Sequence, residues 1–244
     1  MFLSIVTVCY NSEKTIEKTI NSIIKQKNDC VEYIVIDGAS KDNTVRIIEK
    51  YLDKIDYFVS EKDSGISDAF NKGIARAKGD YIWLVNSDDT VCDFVIDDVL
   101  EALGEKKDVH CFSMRVIRGE MVNIVFSDHL RLDEGMYVAH PATIVSKDLY
   151  LTIGVFNNNF KLAMDYDFLI RAKKSGASFC SHKNIIVDMS GGGVSDLYPF
   201  KAVFECFKSR RLNGYGFCQS YFFLFRYLLK RTVFFIKDSF HGRR

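Results

Sequence analysis

The stretch SEKDSGISDAFNKGIARAKGDYIWLVNSDD, residues 60–89, decides the fold. It opens with acids and a glycine turn, continues as a helical stretch from about Ile66 to Ala77, and ends in the apolar run Tyr81 to Val85 before Asn86, Ser87 and two adjacent carboxylates. A short, continuous apolar run bounded by polar turn residues reads as a strand buried on both faces. Neighbouring acids repel each other unless solvent, a cation or hydrogen bonds accommodate them, so this strand ends either in a solvated turn or in a built site.

The same alternation occupies the residues before it. Leu3 to Val8 reads as a strand, and Ser12 is expected to cap a helix carrying Ile16, Ile20, Ile23 and Ile24. Val31 to Ile36 is a second strand ending at Asp37-Gly38, Asp42 is expected to cap the next helix, and Tyr57 to Ser60 is a third strand. Strands alternating with helices predict an α/β fold with a mostly parallel, Rossmann-like sheet. Such sheets bind ligands beyond the carboxyl ends of their strands. There the sequence puts Asn11, Asp37, Glu61 with Asp63, and Asp88 with Asp89. From Asp108 to Val145 the shorter pieces CFSMRV, MVNIVF and ATIVS predict a mixed or antiparallel extension. Leu162 to Ser175 reads as a helix with Asp165 and Asp167 in its first turn, Ile185 to Met189 as a last strand, and Ser190 to Val194 as a glycine loop.

With 244 residues, 48% of them hydrophobic, the chain can bury a sizeable core, which excludes disorder as a default. Seven scattered cysteines without a CxxC pair predict reduced thiols rather than a disulfide framework or a zinc site. The opening MFLSIVTV is strand-like and unlike a secretory signal, so a cytoplasmic location is expected. Residues 208–244 carry nine Lys/Arg against one acid, leaving an acidic body with a basic tail. Tyr221 to Phe240 is too charged for a comfortable membrane span. It reads equally as a basic amphipathic helix on an anionic membrane surface or as a terminal helix packed on the domain or on a partner chain in a homodimer.

The residue 60–89 stretch, with LSIVTVCYNS at the start and VIDGASKDNT after the second strand, resembles the family 2 glycosyltransferases of the GT-A fold. The resemblance is strong over the first hundred residues and weaker to about Ser195. It implies a catalytic domain over residues 1–200, a helical tail over 201–244, a nucleotide-diphosphate sugar donor (UDP-sugar favoured) and Mg²⁺ or Mn²⁺. A bacterial setting, a saccharide or lipid-linked acceptor, cell-surface polysaccharide synthesis at the inner membrane face, and no nucleic-acid partner are also implied. A divalent cation fits the chemistry, because negative charge builds on the departing phosphate.

By the same resemblance, the family's Asp-x-Asp corresponds to Asn86-Ser87-Asp88. Asp88 is the implied metal ligand, Asn86 is a departure that removes a charge, and Asp89 is left to cap, orient the site or share the metal. Asp37 corresponds to the acid that accepts the uracil imide, while Thr7, Tyr10 and Asp63 border the nucleotide. Met164 in AMDYDFLIR replaces a common Glu, Asp165 is the implied general base, and Asp167 is the fallback. His140 in VAHPAT is a candidate for the sugar or diphosphate, or a structural histidine, and the Gly191-Gly193 loop for the diphosphate or a plain connector. The processive members' QxxRW motif is missing, which implies addition of a single sugar. Competing readings are a sugar-phosphate nucleotidyltransferase, whose glycine-rich N-terminal phosphate loop is lacking, and a non-catalytic sugar-nucleotide-binding or scaffold protein.

Overall fold

The computed structural model describes residues 1–191 and 197–241, with side chains as far as Leu229. Its first half follows the expected alternation. Strands β1 (Leu3–Cys9), β2 (Val31–Asp37), β3 (Tyr57–Ser60) and β4 (Tyr81–Asn86) are separated by helices α1 (Ile16–Ile24), α2 (Thr44–Ile48) and α3 (Ile66–Arg76). β1 pairs in parallel with both β2 and β4, and β2 with β3. The order β3-β2-β1-β4 therefore reverses direction at β1, and the gap between β1 and β4 is the topological switch point where ligands of open α/β sheets bind.

Beyond β4 the sheet becomes mixed, within the mixed or antiparallel extension that the shorter strand-like pieces predict. A short β5 (Thr90–Val91) and α4 (Ile96–Ala102) precede β6 (Val109–Arg118), β7 (Met121–Val125) and β8 (Thr143–Ser146). β8 lies antiparallel between β4 and β6, and β7 hangs on β6. Helices α5 (Lys147–Ile153) and α6 (Met164–Lys174) lead to β9 (Phe179–Ser190), which runs parallel to β6. β9 starts six residues earlier than the periodicity predicts. The segment FCSHKN has no apolar alternation, and its strand form comes from pairing with β6 rather than from local pattern.

Two apolar layers sandwich the sheet. The alternation of β1 sends Val6 and Val8 toward α3, α5 and α6, and sends Leu3, Ile5 and Cys9 toward α1, α2 and α4. Gly73 allows α3 to lie tight against β1, since a Cβ there would run into Val6 Cγ1. Buried Trp83 on β4 donates its indole N–H to the Pro141 carbonyl at 2.7 Å, fixing the segment around His140.

The residues beyond 200 are joined to this body. Helix α7 (Pro199–Leu212) buries Val203 in the first layer, and α8 (Phe217–His241) adds Phe223. All seven cysteines are free.

Candidate active site

The rim at the carboxyl ends of β1, β2 and β4 is assembled by side chains that cross-link the strand-end loops. In register, Val8 of β1 sits beside Asn86 of β4, and Cys9 beside Asp37 of β2, so the nucleotide-side and metal-side candidates lie on adjacent strand ends. Ser12, expected to cap α1, serves the rim instead. Its hydroxyl meets the Ser87 hydroxyl at 2.8 Å across the switch point, and α1 begins only at Ile16. The N-cap of α2 is Asn43 rather than Asp42, whose carboxylate, one residue earlier, accepts the Thr44 amide and hydroxyl as well as the Glu13 amide.

The NSDD turn is fixed from two sides. Thr19 of α1 donates to the carbonyls of Ser87 (2.9 Å) and Asp89 (2.7 Å), and the Ser190 hydroxyl at the end of β9 donates to the Asp88 carbonyl (2.8 Å). Inside the turn, the adjacent acids have different surroundings. Asp89 is 1% exposed, accepts Asn86 Nδ2 at 2.8 Å and the Ser190 amide at 3.3 Å, and is pushed up to about 7, chiefly by burial with the Asp88 charge adding to it. Asp88 projects from the turn, and partial desolvation raises its pKa above the usual carboxylate value.

This geometry explains how Asn86 can stand where the family has an acid. Its Nδ2 must face the Asp89 carboxylate to donate, which leaves Oδ1 as a hard oxygen donor on the same turn as Asp88. Asn86 Oδ1 and the Asp88 carboxylate are the oxygen types that hold Mg²⁺ or Mn²⁺. Asp89, buried, accepts the Asn86 side-chain amide and so fixes which way that side chain faces.

Two nucleotide-side assignments need correction. Thr7 does not reach the rim: β1 runs two residues further, Thr7 is fully buried, and its hydroxyl accepts Tyr33 Oη at 3.2 Å. Asp37 is fully buried too, and its carboxylate already accepts the Ser40 amide (2.9 Å), the Ser40 hydroxyl and the Ser60 hydroxyl (2.6 Å), with Cys9 Sγ at 3.5 Å. It ties the β2 and β3 ends together. The accessible groups are Asp63 and Tyr10. Asp63 Oδ1 accepts the Gly65 amide at 2.8 Å, whereas Oδ2 occupies the space that a Cβ on Gly38 would fill, with the 58% exposed Tyr10 ring alongside.

The other wall is formed where the N-termini of α3 and α6 meet. Ser67 of α3 donates to the Phe160 carbonyl (3.1 Å) and to Met164 Sδ (2.8 Å), and Lys161 Nζ donates to the Ser64 carbonyl (2.8 Å). Met164, the departure from Glu, is thus a buried packing residue. Asp165 is half-buried in the first turn of α6 and accepts only the Tyr166 amide among the described contacts. Asp167 is not available as a base: it is 2% exposed and bound to Arg171 Nε (3.0 Å), the Ser209 hydroxyl (2.8 Å) and Asn213 Nδ2 (3.2 Å). His140 packs edge-on against Phe70 and Phe156 rather than projecting from the rim. Burial lowers its pKa, with the Asp165 charge pulling the other way. Gly191 lies beside Ser190, and Gly192 and Gly193 fall outside the described residues.

Several residues that build the wall carry no local sequence signal. Glu205 of α7 accepts the amides of Lys161 (2.9 Å), Leu162 (2.7 Å) and Ala163 (3.1 Å), capping α6 from forty residues away. Asn71 of α3 pairs with both the N–H and C=O of Phe156, holding the loop that flanks His140.

The comparisons agree with this geometry. An uncharacterised glycosyltransferase of Mycobacterium tuberculosis is 32% identical over 178 residues, which cover 70% of this chain and 68% of the relative. The poly(ribitol-phosphate) beta-N-acetylglucosaminyltransferase TarS of Staphylococcus aureus is 31% identical over 128 residues, half of this chain but 22% of TarS. A crystal structure of TarS residues 1–349 superposes with a TM-score of 0.67 at 25% identity, covering 86% of this chain and 65% of that one. The sequence profile described as Glycosyl transferase family 2 matches residues 4–189. With the parallel strand ends, the switch point and the acid-bearing turn in place, the chain belongs to glycosyl transferase family 2 and is a glycosyltransferase of the GT-A fold.

Proposed function

We propose that the protein transfers a single sugar, with inversion, from a uridine diphosphate sugar to a saccharide or lipid-linked acceptor of a cell-surface polysaccharide. The observation that carries this reading is the register of β4 against β1. It sets Asn86 next to the end of β1, where the exposed Tyr10 ring and Asp63 Oδ2 lie against Gly38. In this reading Asp63 Oδ2, rather than Asp37, accepts the uracil imide N–H, and Tyr10 offers its ring to the base. Asn86 Oδ1 and Asp88 would hold Mg²⁺ or Mn²⁺, which when bound neutralises the charge of the diphosphate leaving group. TarS has been crystallised with UDP-GlcNAc, which makes that donor the first to test.

Asp165 removes the proton from the acceptor hydroxyl as its oxygen bonds to the anomeric carbon. The bond from that carbon to the diphosphate oxygen breaks, and UDP leaves with the electron pair. The protein would act in the cytoplasm against the inner membrane face. No helix among the described residues is long and apolar enough to cross a membrane. The near half of α8 leans on the body through Ser220 and Phe223 and turns Phe217, Tyr221, Phe222, Phe225 and Leu229 to solvent, a face suited to the lipid headgroup boundary. Of the expected basic face, Arg226 pairs with Glu134 at 3.8 Å, and Lys230 and Lys237 lie outside the described side chains.

UDP release from UDP-GlcNAc, measured with Mn²⁺ and a panel of polyisoprenyl-phosphate and saccharide acceptors, tests the catalytic assignment. Asp165→Asn should lower turnover about 10²–10⁴-fold and leave donor affinity unchanged. Undiminished turnover in the variant would remove Asp165 from the mechanism.

A further inference from the structure

At the end of the sheet opposite the rim, we propose a zinc site formed by Glu105, Cys180 and His182. Cys180 and His182 are two apart on β9 and so share one side of the strand, while His110 on β6 is in register with Cys180. Glu105 ends the short helical turn Leu103–Glu105 before β6, and Lys106 after it takes a left-handed conformation that swings the chain back toward the sheet. One ligand atom from each of Glu105, Cys180 and His182 lies within 4.8 Å of the others. A tetrahedral zinc, with bonds of about 2.0–2.3 Å, draws its ligands slightly closer than this, within reach of side-chain rotation.

A thiolate, an imidazole and a carboxylate suit zinc, whereas the rim offers only the oxygens that magnesium and manganese prefer. The two sites are therefore distinguished by chemistry as well as by place. Ser190, bonded to the Asp88 carbonyl, and Cys180 stand at opposite ends of β9, about 30 Å of strand apart. Ligating imidazoles are held by a hydrogen bond to their second nitrogen. His110, fully buried with Nδ1 3.1 Å from His182 Nε2, is placed to provide it. Three protein ligands leave the fourth position to water, and the ion clips the turn after α4 to β9.

Metal-stripped full-length protein titrated calorimetrically with Zn²⁺ alone should bind about one equivalent that excess Mg²⁺ does not displace. Co²⁺ in its place should show thiolate charge-transfer absorption. Cys180→Ser should abolish that absorption, and exposed Glu105→Gln, which leaves the core untouched, should weaken Zn²⁺ binding at least about tenfold. His110→Ala should weaken it about 10–100-fold. Absence of Zn²⁺ binding, or binding of unchanged affinity in Cys180→Ser and Glu105→Gln, would overturn the proposal.

Discussion

Asp88 and Asp89 are adjacent in sequence and opposite in circumstance. Asp89 is enclosed and held up to about 7, so between the ordinary carboxylate value and that point the folded protein keeps a proton that the unfolded chain has lost. Stability therefore falls as pH rises through this window, by up to about 1.4 kcal/mol for each unit of pKa difference. In EDTA, melting temperatures of the wild type should fall between pH 5 and pH 8 by more than those of Asp89→Asn, and equal falls would show that Asp89 is not the group responsible. The acids at the strand ends were all legible in the sequence, but their division of labour was not. Asp37 reads locally like a ligand-binding acid and is a structural knot, because Ser40 and Ser60 arrive from a turn and from another strand to fill it. Asp63 is half-buried, and its Oδ2 takes the space that a side chain at Gly38, on a neighbouring loop, would fill.

At the scale of elements, α7 decides the position of the candidate base. Strand and helix identities up to β4 followed from apolar runs and caps, since each is written in contiguous residues. The cap of α6 is not, because its acceptor Glu205 comes from a later helix. Glu205→Ala leaves three amides without their acceptor at a helix N-terminus, a loss of about 1–3 kcal/mol. At roughly 2–4 °C per kcal/mol, the melting temperature should drop measurably, and turnover should fall with nucleotide affinity intact. A variant with wild-type melting and turnover would show that α7 does not set the α6 N-terminus. Asp167 illustrates the same limit: its spacing to Arg171 is a helix ion pair visible in sequence, but Ser209 and Asn213 complete its burial from α7 and the turn beyond it.

At the scale of the molecule, α8 adds a row of exposed aromatics whose chemistry is unlike that of the acidic rim. Phe222 and Phe225 are 60% and 63% exposed, so replacing both by serine should leave the fold intact. The double variant should lose co-sedimentation with vesicles containing anionic lipid, and wild-type pelleting would contradict membrane docking by this face. If the same substitutions instead dissociate a dimer in sedimentation equilibrium, the exposed aromatics serve a second copy of the chain. Nothing in the local pattern separates these surfaces, since the apolar stripe of a helix does not say what covers it.

The central claim, a metal-assisted nucleotide-diphosphate site at the β1–β4 switch point, is tested most directly by calorimetric titration of UDP into the protein with Mn²⁺ and with EDTA. Binding should require Mn²⁺, should be lost in Asp88→Ala, and should weaken about 10–100-fold in Asp63→Asn, as expected for loss of a charge-assisted hydrogen bond. UDP binding of equal strength in EDTA, or undiminished in both variants, would contradict the account.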